Sequence, residues 1–428
     1  MTVIRPFFGV RPTEPLASSI AALPYDVFTR EEAKTYSLSH PLSFLNIDRP
    51  ETQFSDDTDM YSQKVYDKAY ELFSNMFSDG SFIQDDTACF YLYALTMNGR
   101  TQTGIVGCTS IDDYLNGTIK KHENTREEKE MDRIRHVDTM SAQTGPIFLT
   151  YRPVTELKDL IDAVRQTDSL YNFTSEDGIL HQVWKIDDSE IVQQITDLFS
   201  RIKNVYIADG HHRAASAVKV GLKRREEHPD YTGTEEFNYF LSVLFPENEL
   251  KIYDYNRVVA DLAGHKWEEV MNAVSEHFTV STVPENYFIP QTGCFDNSEL
   301  YPYPQKKGEV ILYGNHCWYL LSVKPDCLTG NPVDDLDVSL LQKYILTPIF
   351  QIHDPRTDGR IDFIGGIFGV SRLKEFVDSG KYAAAFVMYP TSMQELLNVA
   401  DEGLLMPPKS TWFEPKLRSG LFIHRIER

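Results

Sequence analysis

An aspartate, a glycine, two histidines and an arginine stand in a row within ADGHHRAASA at 208–217. The string follows a short apolar run, NVYIA at 204–208, and opens an alanine-rich stretch, so strand, tight turn and helix are expected in that order. At such a junction the backbone N–H groups and the positive end of the helix would lie beside His211, His212 and Arg213, a setting suited to a phosphorylated ligand. Gly210 permits a sharp turn or close backbone approach. Arg213 can clamp phosphate through two parallel donors, and Asp209 can accept a hydroxyl or hold a metal ion. The plainer reading is that Asp209 caps a helix and both imidazoles are solvated.

A second group begins at His122. In a helix starting there, His122, Thr125 or Arg126, Lys129, Arg133 and His136 return to one side, because steps of three and four residues do so. That stripe is either a solvated face, with Glu127, Glu128 and Glu130 pairing across turns, or a site for anions. So many cationic or potentially cationic groups on one stripe of an acidic chain favour the second. Glu123, next to His122, is a partner for the helix dipole or a carboxylate base. A third group is MPPKSTWFEPK at 406–416: Lys409, Ser410, Thr411 and Lys416 in a loop stiffened by Pro407, Pro408 and Pro415. It is either a fixed basic loop that contacts phosphate or a tail that packs Trp412 and Phe413 on the core. RTDGRIDFIGG at 356–366 has a turn and a strand but lacks GxGxxG spacing, so no dinucleotide site is expected there.

Elements able to position these groups are legible around them. Helical spacing covers 66–77, and strands are expected at 89–96 (CFYLYALT) and 146–151 (PIFLTY). Further on, EVILYG and CWYLLSV read as paired strands, DVSLLQKYILTPIF as a helix, AAAFVMYP as a strand and 393–400 as an amphipathic helix. The fold class is therefore mixed α/β (α+β). At about 150 residues per domain, 428 residues suggest two or three domains. A stretch at 281–308 with four prolines and little periodicity is the best linker, giving a catalytic region over 1–280, a linker over 281–310 and a C-terminal α/β unit over 311–428.

Composition narrows the class. With 42 Lys and Arg against 63 Asp and Glu, the net charge of −21 disfavours nucleic acid and membrane surfaces as partners. A small anion can still be held in a locally basic cleft, since screening acts over roughly 8 Å at cellular salt. Five cysteines with no CxxC pair fit neither a disulfide framework nor a zinc ribbon, and the N-terminus lacks a signal-peptide pattern, so a cytoplasmic location is expected. The P-loop, HExxH, GxSxG and kinase HRD/DFG motifs are all missing from the sequence.

PYDV at 24–27, HENT with Lys129 and Asp132-Arg133, IADGHHR at 207–213, RTDGRIDFIGG and MPPKSTWFEPKL occur in this order over nearly the whole chain. Together they resemble the family known as domain of unknown function 1015. Within 115–220, DGHHR resembles the turn of the ParB/sulfiredoxin superfamily, including its free-serine kinases, which phosphorylate the hydroxyl of L-serine with ADP or ATP. In those kinases a glutamate precedes a Pro-Ile strand and then DGHHR, and Glu123, Pro146-Ile147 and 209–213 follow that order. The resemblance implies a ParB/sulfiredoxin-like catalytic region, Glu123 as base, and Asp209, His211, His212 and Arg213 as the nucleotide and phosphoryl-transfer group. His122, Thr125, Lys129, Arg133, Gly210, Lys409, Ser410 and Thr411 join them as phosphate contacts, and Mg²⁺ needs few protein ligands beyond Asp209. The expected activity is phosphorylation of free L-serine to O-phosphoserine for serine or cysteine metabolism. The rivals are a CTP-binding switch of ParB type and a phosphoester hydrolase using the histidine pair.

Overall fold

The computed structural model describes residues 1–125, 127–290 and 299–427. Arg126, part of the expected stripe, and Cys294 lie outside them. The chain forms two compact units: Met1–Leu250 with Pro415–Arg428, and Lys251–Glu414.

Among the described residues, the first unit is built on a nine-stranded sheet. Its strands are β1 (Ile4–Arg5), β2 (Phe90–Met97), β3 (Arg100–Ser110), β4 (Ile119–Lys120), β5 (Ile147–Tyr151), β6 (Tyr171–Thr174), β7 (Leu180–Ile186), β8 (Val205–Asp209) and β9 (Tyr239–Pro246). They lie in the order β4-β8-β5-β9-β3-β2-β7-β6, with β1 against β3. The longer helices are α1 (Gln63–Ser78), α2 (Glu127–Met140), α3 (Thr155–Val164), α4 (Ser189–Phe199) and α5 (His211–Glu227). Strands β5 and β8 are short apolar runs, as strands covered on both faces must be. Leu157, Ile161, Ile195 and Phe199 of α3 and α4 join Leu149, Val205 and Ile207 in one core. Small residues on α5, from Ala214 to Ala217, are buried and let it pack closely on α2 and the sheet.

The second unit carries a six-stranded sheet from β10 (Tyr255–Val259), β11 (Phe278–Thr282), β12 (Glu309–Gly314), β13 (Cys317–Val323), β14 (Ile361–Gly365) and β15 (Ala384–Met388). Their order is β11-β13-β12-β15-β10-β14, every pairing antiparallel. Its longer helices are α6 (Trp267–His277), α7 (Gly369–Asp378) and α8 (Met393–Asp401). The expected EVILYG and CWYLLSV pair forms a hairpin whose turn residues, Asn315 and His316, both take positive φ, as a two-residue hairpin turn prefers.

The mixed α/β class and a second α/β unit are thus present, but the expected boundaries are not. The division falls at Leu250, and 281–310 is no linker. Its described parts include strand residues Ser281 and Thr282 and the paired strands Phe288–Pro290 and Leu300–Pro302, while 291–298 lies outside the described residues. Prolines are tolerated at the edges of short strand pairs, so composition misled. The C-terminal 415–428 belongs to the first unit, where Ile423 exchanges backbone hydrogen bonds with Val10, and Leu421, Phe422 and Ile423 are buried. No helix among the described residues is long and apolar enough to cross a membrane.

Candidate active site

Strand β8 carries four buried residues, Val205 to Ala208, and ends on Asp209 at the mouth of the sheet. Gly210 follows with φ 94°, and α5 begins at once with His211. A side chain at that φ costs about 1–2 kcal/mol, and a Cβ on Gly210 would stand 3.1 Å from Nε of Arg213. Gly210→Ala should therefore lower the melting temperature, which thermal unfolding checks.

Asp209 accepts from the Gly210 N–H at 2.8 Å and pairs with Lys416 at 3.3 Å. Desolvation by the surrounding protein opposes its ionisation. The Lys416 ammonium and the Arg213 guanidinium outweigh that and hold the carboxyl below the usual carboxylate range. Arg213 donates to the Pro146 carbonyl at 2.7 Å, so the Pro-Ile strand start aims the guanidinium.

His211 is the hinge of the cluster. Its Nδ1 lies 4.0 Å from a Glu123 carboxylate oxygen, and its Nε2 faces the backbone N–H of His122 at 3.5 Å, 89 residues away in the chain. The two imidazoles pack edge to face at 4.5 Å. Burial, followed by the neighbouring His122 ring, keeps His211 well below the ordinary histidine value. Burial also pushes His122 down to about 4, and neither of its ring nitrogens has a hydrogen-bond partner of normal geometry. Both imidazoles are thus neutral at pH 7. With Nε2 accepting, Nδ1 of His211 carries the proton and points it toward Glu123. The Glu123 side chain is partly exposed. His212 is half-buried on the first turn of α5.

The expected helical stripe is corrected. Helix α2 is described from Glu127, so His122, Glu123 and Thr125 lie in a non-helical segment before it. Thr125 donates to Glu130, itself buried and paired with Lys219 of α5. Arg133 is buried, bound to Asp132 at 2.7 Å, and stacked over the Tyr25 ring at 4.0 Å. His136 is buried with Nε2 3.1 Å from the Ile47 carbonyl. Among the described cations of the expected stripe, Lys129 alone is exposed. Tyr25, Lys129, Asp132 and Arg133 line a cavity of about 220 Å³. Tyr25 and Arg133 also line a smaller one of about 30 Å³ that reaches Arg213.

Lys409, Ser410 and Thr411 are residues of the second unit, because the boundary splits the tail string after Glu414. The residue of that string that meets Asp209 is Lys416. Tyr25 and Asp132 line the cavity without being among the expected site residues; the strings PYDV and Asp132-Arg133 are their only signal in the sequence. Asp209 offers one carboxylate to a Mg²⁺ ion, and among the described residues no group of three or more His, Cys, Asp or Glu could hold a metal. A divalent ion fits here only as a companion of phosphate oxygens.

Among solved structures, the chain is similar to a free serine kinase in complex with AMP, at 15% identity over 74% of this chain and 91% of that one, with a TM-score of 0.36. It is also similar to a conserved hypothetical protein from Pyrococcus furiosus, at 13% identity over 74% and 94%, TM-score 0.35. A third is SbnI with a C-terminal truncation from Staphylococcus aureus, at 11% identity over 75% and 87%, TM-score 0.40. A search of curated proteins found no match. The family described as protein of unknown function (DUF1015) matches residues 4–339, most of the chain and part of both units, and the protein belongs to that family.

Proposed function

We propose that the protein is a small-molecule kinase that transfers the terminal phosphoryl group of ATP to the hydroxyl of free L-serine. The observation that carries this reading is the meeting of Glu123 with His211 at 4.0 Å, beside Asp209 and Arg213 at the start of α5. The order of Glu123, Pro146-Ile147 and DGHHR resembles that of free-serine kinases, and the Arg213 contact with the Pro146 carbonyl ties the last two together.

Phosphoryl transfer asks a protein mainly for positioning and for charge. Glu123 orients the serine hydroxyl and takes its proton as oxygen bonds to phosphorus; the bond from phosphorus to the bridging oxygen breaks and ADP leaves. His211, its Nδ1 4.0 Å from the carboxylate, orients Glu123, which makes it a positioning residue. The N–H groups at the start of α5 and the Arg213 guanidinium face the phosphates. Bound Mg²⁺, with Asp209 as its protein ligand, would offset phosphate charge. Lys129, Arg133 and Asp132 give the adjoining cavity both signs of charge, as recognition of an amino-acid zwitterion requires.

Incubating the purified protein with ATP, Mg²⁺ and serine should yield O-phosphoserine by mass spectrometry, with ADP released in equal amount. Absence of any phosphorylated product across a panel of amino-acid acceptors would overturn the reading, and phosphate released without an acceptor would replace it with a hydrolase.

A further inference from the structure

Two strings that the kinase reading leaves unused, RTDGRIDFIGG at 356–366 and MPPKSTWF at 406–413, come together in the second unit. Gly365, the last residue of β14, lies against the Trp412 indole; a Cβ there would stand 2.8 Å from the ring. Trp412 meets Tyr255 edge to face at 4.9 Å, and the Lys409 ammonium sits 5.4 Å over the Tyr255 ring.

Arg257 of β10 lies in the same neighbourhood and is only 3% exposed. Its guanidinium donates to the Tyr255 carbonyl and, at 2.9 Å, to the Lys409 carbonyl, and stands 5.3 Å from the Phe363 ring. Among the described residues no carboxylate forms an ion pair with it. Two buried acids lie nearby: Asp254 is held by the Asn256 amide at 2.5 Å, and Glu414 accepts from the Trp412 indole N–H at 2.9 Å. Two neutral carbonyls use only part of a guanidinium's five donors and none of its charge. Burial pushes the group down to about 10, opposed only by Tyr255. A buried cation without a counter-ion is costly, so such an arginine is normally matched by an anion. The loop beside it brings the exposed Lys409 at φ 60°, Ser410 and Thr411. Ser410 is tied by its hydroxyl to Pro407 and by its carbonyl to the Thr391 hydroxyl.

We propose that Arg257 and Lys409 form an oxyanion site in the second unit for a phosphate-bearing small molecule. Two cations and a hydroxyl-bearing loop suit a phosphate dianion better than a single carboxylate. The phosphate can come from a phosphomonoester or from a nucleotide. The site stands on its own residues and does not depend on transfer chemistry in the first unit.

The test uses the full chain carrying Arg213→Gln, so that the first-unit phosphate contact is weakened. Titration with inorganic phosphate should raise the melting temperature and change the emission of Trp412, identified by its loss in Trp412→Phe. Adding Lys409→Ala, on an exposed loop, should weaken phosphate binding about tenfold or more. Adding Arg257→Met should abolish the response while melting no lower than its parent in phosphate-free buffer, because it removes an unpaired buried cation. O-phosphoserine binding tighter than phosphate assigns the site to phosphomonoesters, and ADP binding tighter assigns it to nucleotides. Three results would overturn the proposal: no phosphate response in the Arg213→Gln chain, a response unaffected by Lys409→Ala, or a lower melting temperature for Arg257→Met without phosphate. The last would mark Arg257 as a bridge between carbonyls. Because these readouts are of binding, failure of the kinase assay leaves them intact.

Discussion

Glu123→Gln should lower turnover roughly 10²–10⁴-fold, the range for loss of a general base, while nucleotide affinity stays near that of the wild-type protein. The amide keeps the size and one oxygen of the carboxylate but cannot take the proton that the proposed transfer requires. Glu123 lies outside α2, and its side chain is 40% exposed, so the substitution leaves the core intact. Steady-state kinetics with ATP and serine, paired with calorimetric titration of ADP, separate the two effects. A variant that turns over like wild type would remove Glu123 as the base. A variant that loses ADP binding would make it a nucleotide contact instead. The transition state is built from positioning and charge, so His211→Asn should shift the pH profile of turnover rather than eliminate turnover, since His211 acts through Glu123.

Acidification should destabilise the first unit between about pH 6.5 and 4. Burial pushes His122 down to about 4. Burial, reinforced by the Arg418 cation, pushes His181 down to about 3. His211 is lowered in the same direction. A histidine whose folded value lies below its unfolded value binds fewer protons when folded, so stability is full above the unfolded value of about 6.5 and drains as pH falls toward the folded one. At about 1.4 kcal/mol per pH unit, His122 and His181 each withdraw about 3 kcal/mol by pH 4. The second unit should respond in the opposite sense. Burial pushes Asp337 up to about 7 and Asp254 up to about 6, so the cost of ionising them is relieved as pH falls. Hydrogen exchange, corrected for intrinsic rates, should show amides of β5 and β8 losing protection from pH 7 to pH 4.5, while amides of β10 and β12 keep or gain it. His181→Gln should flatten the first-unit response. Protection in β5 and β8 that is constant over that range would contradict the neutral, buried state of these imidazoles.

Much of the local architecture was legible in the sequence because it rests on short-range patterns. Four apolar residues followed by Asp-Gly and an alanine-rich stretch define a strand, a turn and a helix, and β8, Gly210 and α5 appear where that pattern puts them. The hairpin of β12 and β13 and helices α1 and α8 were readable for the same reason. The chemical types in the candidate site were also visible, since Glu123, Asp209, His211 and Arg213 announce themselves by composition and order.

Periodicity alone could not say which polar residues of 122–136 face water. A helical repeat assumes a helix, and His122 to Thr125 are not in one; Arg133 and His136 were buried by the packing of α2 against α1 and α5, which no residue of α2 encodes. Nor could it place the tail. Whether 415–428 stays with the last third or returns to the first unit depends on a vacancy beside Val10 that long-range pairing alone creates, and that return is what brings Lys416 to Asp209. The sequence by itself determined the elements and the chemical inventory, because these follow from neighbours along the chain. The tertiary structure decided the pairings of charge, Glu123 with His211, Asp209 with Lys416 and Arg133 with Tyr25, because contact between distant segments is fixed by the whole core and not by any one of its strings.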